Sequence, residues 1–212
     1  MSREEHPRVP RDRKPVSFYK GWLLLRDEQT ALAEMRRPSS VSLLAVPSVS
    51  QAYTVPFIPT SLDTARRMLE LAKVGPQDIV YDLGCGDGRI LVMAAEMFGA
   101  KKAVGYEIRG DVYKNAEREV KAHNLGERVT VVNGDLFDAD LSDATVITLY
   151  LSYGANKVLE PKLRSEIRSG TRVVSHDFEI PGWRLKRKVR LHGDSIYLYI
   201  APDSVVNEAE FV

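Results

Sequence analysis

The stretch Tyr81–Arg89, "YDLGCGDGR", places glycines at alternate positions, Gly84, Gly86 and Gly88, between an apolar run and a helical pattern. The preceding "DIVYDLG" is short, apolar and closed by glycine, so it reads as a buried strand. After it, Ile90, Ala94, Met97 and Phe98 share a helical face, and Gly99 can end that helix. A glycine turn from strand into helix lets a ligand touch the backbone, because glycine accepts positive φ and carries no Cβ. The unpaired N–H groups at the helix start favour electronegative ligand atoms. The spacing is G-x-G-x-G, not the G-x-G-x-x-G of dinucleotide enzymes, and no Walker lysine follows. Asp82 and Asp87 would repel a pyrophosphate and suit a ligand carrying an ammonium group.

Working outward, Ser61 can cap a helix carrying Leu62, Ala65, Leu69 and Ala72. "KAVGYEI" is the next strand. Val112, Ala116 and Val120 mark a helix. "RVTVVNGD" and "ATVITLYL" are strands three and four. Leu159, Leu163 and Ile167 mark a helix that Gly170 can stop, and "TRVVSHDF" is strand five. "WRLKRKVRL" and "SIYLYIA", joined by "HGD", read as a hairpin. This alternation predicts an α/β fold: a Rossmann-like, mostly parallel sheet with helices on both faces and a C-terminal antiparallel hairpin. Ligands of such sheets sit at the carboxyl ends of the strands.

Two further acids fall at strand ends. Glu107 closes strand two, nineteen residues after Gly88, where a carboxylate accepts from both ribose hydroxyls. Asp135 closes strand three, placed to accept from an adenine amino group, with Leu136 or Phe137 against the ring. The site thus has acceptors for ammonium, ribose and adenine, and no phosphate binder. S-adenosylmethionine fits that set best.

The series "DLGCGDGR…GYE…NGDLF" resembles the class I S-adenosylmethionine-dependent methyltransferases over residues 53–200. "YTVPFIPTSLDTARRMLELAKV", "YDLGCGDGRILVMAAEMFGAKKAVGYE", "VITLYLS" and Leu163–Phe178 resemble more closely the small archaeal protein-lysine methyltransferases, distant relatives of the Dot1-type histone methyltransferases. They are also similar to the mitochondrial enzymes that methylate a lysine of the ATP synthase c subunit. The resemblance implies methyl transfer to protein lysines, with protein substrates bearing exposed lysines and broad choice among them, automethylation included. It implies that Asp82, Gly84, Cys85, Gly86, Asp87 and Gly88 line the methionine end, with Glu107, Asp135 and Leu136 at the nucleoside. "YTVPFIPT" would fold over the cofactor, with Tyr53, Phe57 and Pro59 nearest. The segment after strand four, "LYLSYGAN", is the active-site edge in this family. It lacks the "[DN]PP[YF]" of amino-methylating nucleic-acid enzymes and the paired asparagines of the Dot1-type relatives; only Asn156 follows. Tyr150 and then Tyr153 are the candidates to face the substrate ammonium through their rings. The alternatives are an RNA or small-molecule methyltransferase, or a non-catalytic binding scaffold.

The remaining features bound this reading. The chain has 212 residues, 44% hydrophobic, with a net charge of +1, so it holds a full-sized core and offers no global argument for nucleic-acid binding. Cys85 is the single cysteine and reads as an apolar filler in a tight turn. No metal site is expected. His176 and Asp177 end strand five, and strand alternation would send them to opposite faces, leaving His176 structural. The basic run "RLKRKVR" reads as a solvated edge strand. Residues 1–52 are expected to form an extension: a charged tail, a helix from Ser17 to Arg37 carrying Phe18, Trp22, Leu25 and Leu32, and a linker. The methyltransferase domain is placed at 53–203, with a tail at 204–212. Neither a secretory signal nor a membrane span is legible, so a cytoplasmic setting is expected.

Overall fold

The computed structural model describes residues 57–201. The expected helix at Ser17–Arg37, the linker, Tyr53 and the tail at 204–212 lie outside the described residues.

Helix α1 (Leu62–Leu71) starts where expected: Ser61 Oγ accepts the Thr64 N–H at 3.1 Å. Strand β1 (Ile79–Leu83), α2 (Arg89–Glu96), β2 (Lys102–Glu107), α3 (Gly110–Ala122) and β3 (Val129–Asn133) follow, then a 3-10 turn at Leu136–Asp138. The chain continues through β4 (Val146–Leu149), α4 (Tyr153–Glu166), β5 (Arg172–His176), β6 (Arg187–Leu191) and β7 (Asp194–Ile200). The sheet order is β3-β2-β1-β4-β5-β7-β6, with β1 to β5 parallel and the hairpin antiparallel. The hairpin turns at His192 and Gly193, both at positive φ (52° and 102°), which suits the right-handed twist of the paired strands.

Strand alternation divides the core. Val80, Ala103, Val146 and Val174 face α1 and α2, where Met68, Leu69, Leu91 and Ala94 are buried. Tyr81, Val104, Ile147 and Val173 face the other way, onto Leu159 and Leu163 of α4. The expected helical stripes fray at their ends: Leu62 is 58% exposed and Met97 56%, because one opens its helix and the other lies beyond the last buried turn. Of "WRLKRKVRL", only the last five residues pair as a strand.

The amino-terminal edge of the sheet is clamped by Asp78. Its Oδ1 accepts from Thr145 Oγ1 at 2.8 Å and from Arg172 Nη2, and its Oδ2 accepts the Gly75 N–H at 2.9 Å. Arg172 Nη1 also reaches the Ala72 carbonyl at the end of α1, at 2.7 Å. The carboxyl edge lies at the opposite end of the strands. There β1 lies between β2 and β4, and the chain's order reverses, leaving a crevice. Replacing Asp78 with alanine strands these donors and is expected to lower stability by about 2–3 kcal/mol. Denaturant unfolding checks this, with ligand affinity at the far edge unchanged.

Candidate active site

The glycine loop turns at the end of β1. Gly84, Gly86 and Gly88 adopt φ of 86°, 57° and 80°, so all three need the left-handed region. Each also meets a different neighbour. A Cβ on Gly86 would stand 2.3 Å from Phe57 Cε2, and one on Gly84 3.0 Å from Leu151 Cδ2. One on Gly88 would press Ala116 of α3 at 3.1 Å. Gly88 therefore serves the approach of two helices and lies outside the cavity lining.

Glu107 closes β2 as expected and fastens this loop. Its Oε2 accepts the Gly86 N–H at 3.2 Å and its Oε1 the Arg109 N–H at 2.7 Å. The Tyr106 carbonyl accepts from both Gly84 and Cys85 at 2.9 Å. Gly105 makes room behind them: a Cβ there would fall 2.4 Å from Leu91 Cδ1 and 2.7 Å from Cys85 Sγ. Cys85 is the buried filler expected, and burial pushes its thiol pKa well up.

One cavity gathers most of the candidate residues. Phe57 and Pro59 line it from the segment before α1; Asp82, Gly84, Cys85, Gly86 and Asp87 line it from the loop. Glu107, Asp135, Leu136 and Tyr150 complete the set. Tyr153 does not join them: it opens α4 and is 50% exposed. Asp135 lies two residues past the end of β3, not on it, and caps the 3-10 turn by accepting the Phe137 N–H at 3.0 Å. Thr60, Arg89, Tyr106, Ile108 and Leu151 also line the cavity. Arg89 was visible in the motif and Thr60 ends the covering segment "YTVPFIPT", but its contact with the sheet edge carries no local signal, since only the tertiary fold makes it.

The acids differ in their electrostatics. Asp82 is 3% exposed, and Thr148 Oγ1 donates to its Oδ1 at 2.7 Å. Burial, aided by Asp87 and Glu107 and opposed by the Thr148 hydroxyl, raises its pKa to about 7. Among the described residues no cation pairs with it. Asp87 is instead forked by Arg89, with Nε to Oδ1 at 2.9 Å and Nη2 to Oδ2 at 2.5 Å. Burial pushes its pKa up, but the Arg89 hydrogen bonds and charge more than offset this and leave it lowered. Asp82 is therefore the loop carboxylate left without a cation, while Asp87 is already neutralised by Arg89. Donors and acceptors of this kind, with two glycines at the wall, fit S-adenosylmethionine.

The expectation that His176 and Asp177 face apart does not hold. β5 ends at His176, and Asp177 takes a left-handed backbone (φ 60°), so strand alternation no longer applies to it. Its Oδ2 returns to 3.6 Å from His176 Nε2.

Residues 82–187 match the family model described as the ANTKMT methyltransferase domain. The chain belongs to the ANTKMT methyltransferase family. Over 150 residues the methyltransferase is 46% identical to the protein-lysine N-methyltransferase of Saccharolobus islandicus (strain REY15A), spanning 69% of this chain and 93% of that protein. Over 187 residues it is 29% identical to the adenine nucleotide translocase lysine N-methyltransferase of Mus musculus, covering 82% of this chain and 81% of the relative. Its fold matches a solved structure described as an RNA methyltransferase from Salinibacter ruber in complex with S-adenosyl-L-homocysteine. That match has a TM-score of 0.69 and 44% identity, covering 71% of this chain and 98% of the other.

An ammonium ligand at Asp82 favours the carboxylate, so binding of S-adenosylmethionine below pH 7 is expected to release a proton. Affinity then falls as pH drops through about 7, by up to about tenfold per unit. Calorimetry in buffers of different ionisation enthalpy measures the proton directly. Gly86→Ala is expected to lose most of the affinity by displacing Phe57. Adding Phe57→Ala removes the collision but not the φ strain, so the double variant recovers part of the loss on titration.

Proposed function

We propose that this chain is an S-adenosylmethionine-dependent protein-lysine N-methyltransferase, acting on exposed lysines of several proteins and on itself. The observation that carries the reading is the 46% identity to a protein of that name across 93% of its length. The domain proposed to do this spans residues 53–203, with 1–52 as an N-terminal extension in the sequence and the cytoplasm as its setting. Among the described residues no helix is long and apolar enough to cross a membrane.

Bound S-adenosylmethionine supplies a methyl group on a sulfonium, an electrophile that needs no further activation. Asp82 holds the ammonium group. Glu107 takes the ribose hydroxyls with acceptor sites beyond those given to the Gly86 and Arg109 N–H groups. Asp135 meets the adenine amino group, with Leu136 and Phe137 against the ring. Phe57 and Pro59 cover the site.

The substrate nitrogen must arrive neutral. A free lysine has a pKa of ~10.4, so fewer than about one in a thousand is neutral at pH 7. An aromatic wall lowers that pKa by desolvation while its ring faces still tolerate the cation on entry. Tyr150 stands at this wall, stacked on His176 with ring centroids 3.8 Å apart. The alternative reading is RNA methylation, favoured by the description of the Salinibacter ruber structure at 44% identity. The segment Tyr150–Tyr153 lacks the Pro-Pro motif of amino-methylating nucleic-acid enzymes.

Methyl-labelled cofactor, incubated with the enzyme and cell extract, is expected to give label that survives ribonuclease, disappears with protease and maps to lysine. Label confined to RNA would overturn the substrate class. In the same assay Tyr150→Ala is expected to lose about 10–100-fold in kcat/KM, and Tyr153→Ala less than about threefold.

A further inference from the structure

Behind the cavity wall lies a buried titratable group that cofactor binding does not use. His176 is 2% exposed. Its Nδ1 lies 3.2 Å from Thr60 Oγ1, and Thr60 lines the cavity. Its Nε2 stands 3.3 Å from Asp194 Oδ2 and 3.6 Å from Asp177 Oδ2. Both carboxylates are about one-third exposed, at 32% and 34%. The three side chains thus run from the cavity through a buried imidazole to the surface.

The groups around the imidazole favour one tautomer by charge, with Nε2 buried and making no formed hydrogen bond. From β5's end and β7's start, two carboxylates face Nε2, and each attracts a proton there. From α1, Thr64 Oγ1 donates to Asp194 Oδ2 at 2.8 Å. On β7, the Ser195 N–H donates to Asp177 Oδ1 at 2.8 Å. From the end of β4, Tyr150 covers one ring face. With the proton on Nε2, Nδ1 is a lone-pair acceptor aimed at the Thr60 hydroxyl. Burial lowers the His176 pKa, against the raising effect of Asp177 and Asp194. Burial thus favours the neutral ring, which can take a proton, and the carboxylates stabilise the cation that results.

We infer that Thr60, His176 and Asp194 form a relay that carries the excess proton of the substrate lysine from the cavity to solvent. The inference rests on the lysine reading above. The ammonium gives one proton to Thr60 Oγ1 while the Thr60 hydroxyl proton passes to His176 Nδ1. The amine nitrogen keeps its lone pair for the methyl carbon. The imidazolium then releases its Nε2 proton past Asp194 and Asp177 to water. Once product leaves, Nε2 regains a proton from solvent while Nδ1 returns its own through the Thr60 hydroxyl to the opened cavity, which restores the resting tautomer. The net products are a methylated ammonium and one proton. Thr60 meets the substrate; His176 and Asp194 act through it.

Nitrogen NMR of the histidine-labelled enzyme tests this without turnover. The chain has four histidines, and His123→Asn and His192→Asn variants assist assignment. The expected result at pH 7.5 is a neutral His176 with Nε2 protonated and Nδ1 bare. A protonated Nδ1, or an imidazolium, overturns the relay. In single-turnover assays Thr60→Val is expected to lower the rate about 100-fold with unchanged cofactor affinity, and Thr60→Ser to recover it. The wild-type rate rises with pH along a limb matching the His176 titration seen by NMR, and Thr60→Val loses that limb. An unaltered rate or pH profile in Thr60→Val, with label on lysine, overturns the relay alone. Label confined to RNA overturns the lysine reading and, with it, the relay's substrate, whatever the tautomer.

Discussion

Glu107 carries the constraint on which the site depends. A parallel strand that ends beside a glycine turn leaves backbone N–H groups without sheet partners. Two of them, at Gly86 and Arg109, find the Glu107 oxygens. One side chain at the end of β2 thereby fixes both the loop after β1 and the entry to α3. The helix behind the loop can then begin at Arg89, with Gly88 lying close on Ala116. Without this fastening the loop's position would rest on glycine torsions alone, and glycine is the residue least able to hold them.

The four acids around the cavity look alike in the chain and are unlike in the fold. Glu107 is tied to backbone donors. Asp135 caps a turn. Asp87 is matched by Arg89. Asp82 alone is buried with only a hydroxyl for company, and it holds a proton near neutral pH for that reason. A bound cation therefore matters most at Asp82, where it replaces a proton and not a guanidinium. The division of labour also explains how a cavity rich in carboxylates avoids unfolding itself by self-repulsion.

The clamp and the crevice sit at opposite edges of the same sheet. Asp78, Arg172 and Thr145 lock the amino-terminal edge with charge-assisted bonds. The carboxyl edge leaves Asp82 without a cation partner among the described residues, and its walls are aromatic: Phe57, Tyr106, Phe137 and Tyr150.

The alternation of strands and helices, the glycine turn and the strand-end Glu107 were legible in the chain, because each is set by local period or by short-range backbone geometry. Ser61 as a cap and Cys85 as filler were legible for the same reason. What the chain could not show depends on residues far apart in sequence. Thr60 meets His176 across 116 positions, and Thr64 meets Asp194 across 130. Asp177 escaped strand alternation because the strand ends one residue earlier, a boundary that β7 pairing decides. Gly88 looked like its two neighbours, yet only packing of α2 on α3 distinguishes it. Local sequence determined the elements and the motif. Tertiary contact decided which of the motif's groups are paired, which are buried and which face the cavity, since pairing and burial are properties of neighbours and not of residues.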